Sequence, residues 1–277
     1  MSWMRPLQYL SAIAAALVLS ISVARAELIS VEIIGDNDYI PYSYEDDGQA
    51  QGIYVNILRE AFKRVRGFDV KIRMLPWKRG LALVARGDGF AIFPPYYFPE
   101  QRPYMQPYSQ PMLLEQVAIF CRDSVMGRPR SKWPDDFYNL RIGNNQGFLT
   151  PGPAFFGAVN AGLIQLNEVT DTNTGLRMLV HGRIDCFVND RRAIQWELQA
   201  LQRSGRYDPD KHHIQEATTG AGHWPITVTP TNSRNGIPSR RILSARWMKS
   251  WRIRLPTARS TGIAVRFCAS CTFFPQE

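Results

Sequence analysis

From residue 28 onward the chain alternates between short β-patterned runs and helix-patterned runs, and the alternation restarts after a polar interval in its middle. Leu28 to Ile34 alternates apolar and polar residues with β-branched members, as a half-buried strand does. Tyr54, Ile57, Leu58, Ala61, Phe62 and Val65 then fall at helical spacing, with Gly67 as a stop. Asp69 to Leu75 reads as a strand ended by Pro76, Trp77 to Ala85 as a helix, and Phe90 to Phe93 and Gln116 to Cys121 as further strands. After the Pro/Gly-containing region 122–134 come a strand at 141–143, a helix at 154–161 and a strand at 166–169. A helix capped by Asn173, a strand at 184–188 and a helix at 193–201 complete the second cycle. Strands alternating with helices imply mainly parallel sheets flanked by helices, and the restart predicts two lobes of similar architecture.

The first 26 residues do not join this pattern. Met1 to Arg5 is short and positively charged, Leu10 to Val23 is apolar, and Ala24-Arg25-Ala26 forms a small-x-small cleavage site. That order predicts a cleaved secretory signal and a mature chain beginning near Glu27. No later segment reaches the ~20 apolar residues of a spanning helix, and no cysteine at the cleavage site invites a lipid anchor. An oxidising compartment permits disulfides among Cys121, Cys186, Cys268 and Cys271. Cys121 and Cys186 fall in strands of one lobe, either bonded or as two buried thiols. Cys268-x-x-Cys271 has no second pair and no nearby histidine, so it carries no metal or redox expectation.

The formal net charge of +9 invites a nucleic-acid reading, but the charge is unevenly placed. The segment from Pro225 onward holds eight arginines and one lysine against Glu277 alone, and two more arginines lie in the signal. The body between them is near neutral, so no nucleic-acid partner is expected.

Between the first strand and first helix, Tyr39, Tyr42 and Tyr44 cluster around Pro41. A strand emptying into an aromatic loop ahead of a helix is how open α/β sheets build binding crevices. The same tyrosines suit packing over the sheet end, and pattern alone does not separate the two.

The string DNDYIPYSYEDDGQAQGIYVNILREAF resembles the opening of family 3 periplasmic solute-binding proteins, the receptors of polar amino-acid ABC transporters. Asn56 stands where the family usually has aspartate. The resemblance continues through LPWKRGLALVARGDGFAIFPPYY, FPEQRPYMQPYSQP, WPDDFYNLRIGNNQGF and MLVHGRIDCFVND, and covers residues 28 to 220. It implies a two-lobed, type II periplasmic binding fold with a discontinuous first lobe: residues 27–117, then lobe two over 118–214, then a return over 215–277. The crossings are expected near Val117 to Phe120 and His213 to Thr219. It also implies a periplasmic, monomeric receptor with two partners, a small-molecule ligand and an inner-membrane ABC permease.

The resemblance places a ligand-carboxylate arginine at Arg102, whose planar fork suits two parallel hydrogen bonds to one carboxylate. The competing reading is a surface arginine in a Pro-rich loop. Tyr97, Phe98 and Pro99 stand where the family often has threonine or serine, which makes the pocket more aromatic. Asp190 falls where the family holds a ligand ammonium, and serves equally as an N-cap for the helix that follows. A zwitterionic ligand bridging Arg102 and Asp190 would favour lobe closure. Trp77, Tyr42, Tyr96 and Phe98 are candidates for ring stacking or cation–π contact. Gln146-Gly147-Phe148 lies where lobe two aims a helix N-terminus at anionic groups, with the Gly147 amide as donor. Asp185 is expected to fix the turn after Gly182.

No catalytic constellation is present: no GxSxG, HExxH, P-loop or GxGxxG occurs, and no cofactor or metal is expected. A lyase or dehydratase on the same fold would need a pocket acid or base, for which Glu100 is the local candidate. An extracytoplasmic sensor domain is the third reading.

From Ile226 the chain changes character. It is arginine-rich and lacks aspartate, and the family resemblance has ended. Read one frame over, Trp247-Met248 must encode Asp and Met248-Lys249 must encode Glu, since TGG-ATG contains GAT. The expectation is a frameshifted C-terminus in place of an acidic helix, leaving the first lobe without its closing strand and helices.

Overall fold

The computed structural model describes residues 28–109, 111–223 and 228–230, with residues 107, 221–223 and 228–230 described by backbone alone. The signal segment, Cys268, Cys271 and the chain from 231 lie outside the described residues.

Strand β1 (Ile29–Asp36) runs into a small antiparallel sheet of β2 (Asp38–Tyr39), β3 (Ser43–Asp46) and β4 (Gln49–Gln51). Helix α1 (Ile53–Phe62) follows, burying Tyr54, Val55, Leu58 and Ala61. Then come β5 (Phe68–Leu75), α2 (Trp77–Ala85), β6 (Ala91–Phe93) and β7 (Met105–Tyr108). Strand β8 (Glu115–Arg122) opens the second cycle, followed by β9 (Arg141–Asn145), α3 (Pro153–Asn160), β10 (Gln165–Val169) and α4 (Thr172–Val180). Strand β11 (Cys186–Asp190), α5 (Arg191–Arg203), α6 (Pro209–His212), β12 (Ile214–His223) and β13 (Val228–Pro230) end the described chain.

Two five-stranded sheets result, ordered β5-β1-β6-β13-β7 and β10-β9-β11-β8-β12. In the first, β1 pairs in parallel with β5 and β6; in the second, β9 pairs in parallel with β10 and β11. Antiparallel strands complete each sheet. The protein is therefore a mixed α/β structure with two sheets, each flanked by helices.

The chain leaves the first sheet after Tyr108 and enters the second at Glu115; it leaves the second after His223 and is back in the first at Val228. Strands β8 and β12 flank these passages: β8 pairs with β11 from Val117 to Cys121, while its first two residues, Glu115 and Gln116, pair with β12 alone. Both strands pair with each other along their lengths, from Ile214↔Arg122 to His223↔Glu115. An apolar strand pattern does not reveal which of two adjacent sheets it joins. The expectation of a frameshifted C-terminus without closing helices falls on residues outside those described. Strand β13 sits between β6 and β7, although Pro230 and Pro107 had hidden both strands of that pair from pattern reading.

Lobe two is stapled internally. Cys121 and Cys186 face each other across the β8–β11 pair and form a disulfide, their Cα atoms 4.0 Å apart. The cap of α4 is Asp171, whose Oδ1 accepts from the Thr174 amide at 2.6 Å. Asn173 lies inside the helix and donates to Glu197. Asp185 does not close the turn after Gly182; it grips the Arg141 guanidinium at 2.6 Å and the Arg141 amide at 2.9 Å, fixing the start of β9.

Candidate functional site

The carboxyl ends of β1 and β6 and the loops that follow them face the loop after β9, as expected for a crevice in open α/β sheets. From the first lobe the cleft is lined by Asp36, Tyr39, Trp77, Tyr96, Phe98 and Arg102. Phe148, Leu149 and Thr150 close it from the second. The cavity between them is partly open and about 20 Å³, little more than one water needs.

Arg102 is not a surface residue: it is 6% exposed. Its Nη2 donates to the Gly147 carbonyl at 2.5 Å, and its Cζ lies 5.7 Å from the centre of the Trp77 ring. Trp77 Nε1 donates to the same carbonyl at 3.3 Å. No carboxylate among the described residues pairs with Arg102. Desolvation pulls its pKa below the usual arginine value, the signature of a cation buried without an anion.

Gly147 meets the first lobe through its carbonyl, which accepts from Arg102 and Trp77. Helix α3 starts only at Pro153, with Gly152 as its cap, so residues 146–148 are a turn well ahead of any helix N-terminus. That turn presses against the first lobe. At Gly147 φ is +76°, and an added Cβ would lie 3.2 Å from Leu81 and 3.5 Å from Trp77. Only glycine satisfies both the backbone angle and the close approach. The Phe148 ring meets Tyr39 edge-on at 5.5 Å and Trp77 at 6.0 Å between centroids.

Asp190 and Tyr42 are together, but not in the cleft. Asp190, 1% exposed, accepts from the Tyr42 hydroxyl at 2.8 Å and from the Arg192, Ala193 and Gln116 amides. Its N-cap role is the one realised, and its oxygens are satisfied by the protein. Burial raises its pKa, while the Tyr42 hydroxyl and the backbone donors hold the rise back. The Tyr42 ring stacks on Tyr54 at 5.2 Å, inside the first core.

Two carboxylates that sequence reasoning passed over are central. Glu115, 1% exposed at the start of β8, accepts from the hydroxyls of Tyr39, Tyr54 and Tyr96. Burial, and then the nearby Asp190 charge, push its pKa up to about 8 against the three hydroxyl donors. Because Tyr39 and Tyr96 are also cleft walls, Glu115 fixes the wall from behind. Asp36, 4% exposed, lines the cleft and, among the described residues, accepts through its carboxylate from the Asp38 amide alone, at 3.1 Å. Desolvation raises its pKa to about 7. Glu100, the expected acid, is exposed and outside the lining. Both missed groups had a signal: Glu115 is the lone acid in the apolar run MLLEQVAIF, and Asp36 ends the first strand at its crevice end. Among the described residues no cluster of potential metal ligands occurs.

No protein-family model matches this sequence, and no curated protein matches it significantly. Solved structures do. A histidine kinase sensor domain similar to periplasmic binding proteins superposes with a TM-score of 0.65 at 17% identity, covering 82% of this chain and 90% of that one. The fold is that of a two-lobed periplasmic binding protein. An ancestral arginine-binding protein bound to arginine matches at 0.61 with 15% identity, over 80% of this chain and 90% of that one. A structure concerning glutathione import through GshT and a cystine importer in Streptococcus mutans matches at 0.60 with 15% identity, over 74% and 83%. At such identities the likeness establishes the fold. Among the described residues no helix is long and apolar enough to cross a membrane.

Proposed function

We propose that this chain is an extracytoplasmic solute-binding receptor that captures a small carboxylate-bearing ligand between its lobes and delivers it to an ABC permease. Arg102 carries this reading: a buried guanidinium at a cleft wall, held by one backbone carbonyl and one ring, with no anionic partner among the described residues. A ligand carboxylate would supply the missing charge through two parallel hydrogen bonds. The ligand would then stabilise the closed arrangement of the lobes, and a permease would read that arrangement as a population shift. Asp36, in the same cleft, suits an amine on that ligand. The neighbouring folds, which include an arginine-bound binding protein, are consistent with a receptor of this kind.

Thermal-shift screening of protein refolded free of ligand, against amino acids, polyamines and small acids, tests the reading. At least one carboxylate is expected to raise the Tm by mass action. The rise should disappear in Arg102→Ala; a ligand that stabilises wild type and variant equally would overturn the carboxylate assignment.

A second reading has one observation in its favour. Asp36, titrating near 7 in the cleft, is placed as a general acid or base would be. Conversion of the bound compound, followed by NMR over hours at stoichiometric protein, would replace the receptor reading with a lyase.

A further inference from the structure

The cleft is filled by the protein's own Gly147-Phe148 segment, and the manner of filling describes what it takes. An oxygen acceptor, the Gly147 carbonyl, sits where two donors from the opposite lobe converge, Arg102 Nη2 at 2.5 Å and Trp77 Nε1 at 3.3 Å. A flat apolar ring, Phe148, sits beside it against Tyr39 and Trp77. Phe148 belongs to lobe two yet packs on both apolar clusters of lobe one. The wall around it is aromatic, and its two tyrosine hydroxyls turn away from the cavity onto Glu115. These walls offer rings and few hydrogen bonds to the body of a ligand.

We propose that the ligand is a small aryl carboxylate whose oxygens replace the Gly147 carbonyl on Arg102 and Trp77 and whose ring replaces Phe148 against Tyr39 and Trp77. This rests on the receptor reading and narrows it. Covalent geometry sets the spacing. From the Gly147 carbonyl carbon to the Phe148 ring the chain runs through a nitrogen, Cα and Cβ, which matches an acid with a three-atom spacer. A two-atom spacer is within reach of the same donors through the length of the arginine. The 147–148 segment is then a built-in competitor: binding requires it to withdraw, and the apparent affinity is lowered by the fraction of molecules in which it has not.

Calorimetric titration of the refolded full chain with benzoate, 3-phenylpropanoate, 4-phenylbutanoate, L-phenylalanine, hexanoate, L-glutamine and L-arginine tests this. The 3-phenylpropanoate and 4-phenylbutanoate complexes are expected to be roughly 10-fold tighter than those of benzoate, which is too short, and hexanoate, which lacks the ring. Phe148→Ala should tighten the aryl acids by roughly 5-fold by removing the competitor. Phe148→Leu, which keeps apolar bulk, should tighten them less and serves if the alanine variant does not fold. Tighter, Arg102-dependent binding of glutamine or arginine would overturn the aryl class while leaving the receptor reading intact. Binding of none of the seven probes, with no thermal shift at millimolar concentration, would sink both. Unchanged aryl affinity in both Phe148 variants would overturn the competitor.

Discussion

The network through which Glu115 and Asp190 tie the second sheet to tyrosines of the first lobe, here called the hinge, and the cleft both bury ionisable side chains, and they satisfy them to very different degrees. At the hinge, Asp190 has four donors, and Glu115 has three tyrosine hydroxyls drawn from β2, from α1 and from the loop after β6. Nothing there remains for a ligand to do. In the cleft, among the described residues, Asp36 has one backbone donor, and Arg102 has one backbone carbonyl borrowed from the other lobe. Buried polar groups cost stability unless they are paired. A group left short of partners where two lobes meet is therefore the better mark of a binding site than the most deeply buried one. By that criterion, under the proposed receptor function, Arg102 of the family-derived pair is left open to a ligand while Asp190 is satisfied within the protein.

The contrast can be broken most forcefully at Asp190. Asp190→Ala removes the cap of α5 and strands the Tyr42 hydroxyl and the Gln116 amide, so it is expected to cost about 3 kcal/mol of stability. A urea midpoint corresponding to less than about 1 kcal/mol would show that the hinge network is not structural.

Glu115 sharpens the comparison through pH. Its folded pKa is raised, so its favourable contribution is complete below the unfolded value of 4.5 and is lost as pH climbs through about 8. Tyr39, Tyr54 and Tyr96 face it as donors and Asp190 as a neighbouring charge, and Asp36 shifts in the same direction within its own range. Wild-type Tm should fall by on the order of 5 °C between about pH 5 and about pH 8.5, and Glu115→Gln should flatten much of that fall. Parallel curves for the two proteins would contradict a buried, neutral Glu115.

The smallest effect lies at Asp36. As pH rises through about 7 the carboxyl ionises, so an amine-bearing acid should gain on its amine-free analogue. Calorimetry of L-phenylalanine against 3-phenylpropanoate at about pH 6 and about pH 8 should show a gain of a few-fold, absent in Asp36→Asn. An equal gain in the variant would remove Asp36 from ligand recognition.

Much of the architecture was legible because it is carried by periodicity. Helix α2 begins and ends where Pro76 and the spacing of Leu81 and Val84 put it, and the strand-helix cycle and its restart both appear. What was not legible depends on partners distant in sequence. The loop tyrosines form a small sheet of their own, and Tyr39 and Tyr54 point to a glutamate 76 and 61 residues away. Strands β7 and β13 contain proline and are defined by pairing with distant partners, β13 with both β6 and β7. In the site, Arg102, Trp77, Tyr96 and Phe98 were found by resemblance and composition. Asp36 had only its place at the end of the first strand to mark it, and the packing of Phe148 on Tyr39 and Trp77 depends on the second lobe being in place.

The most direct measurement is a side-by-side calorimetric titration of one bound aryl carboxylate into Arg102→Ala and Asp190→Asn. Asparagine keeps an N-cap oxygen for α5 and removes the charge. Arg102→Ala is expected to lose about 1.5–3 kcal/mol of binding free energy while Asp190→Asn binds as wild type does. Loss of binding in Asp190→Asn, with Arg102→Ala unchanged, would contradict the division of the two residues between cleft and hinge.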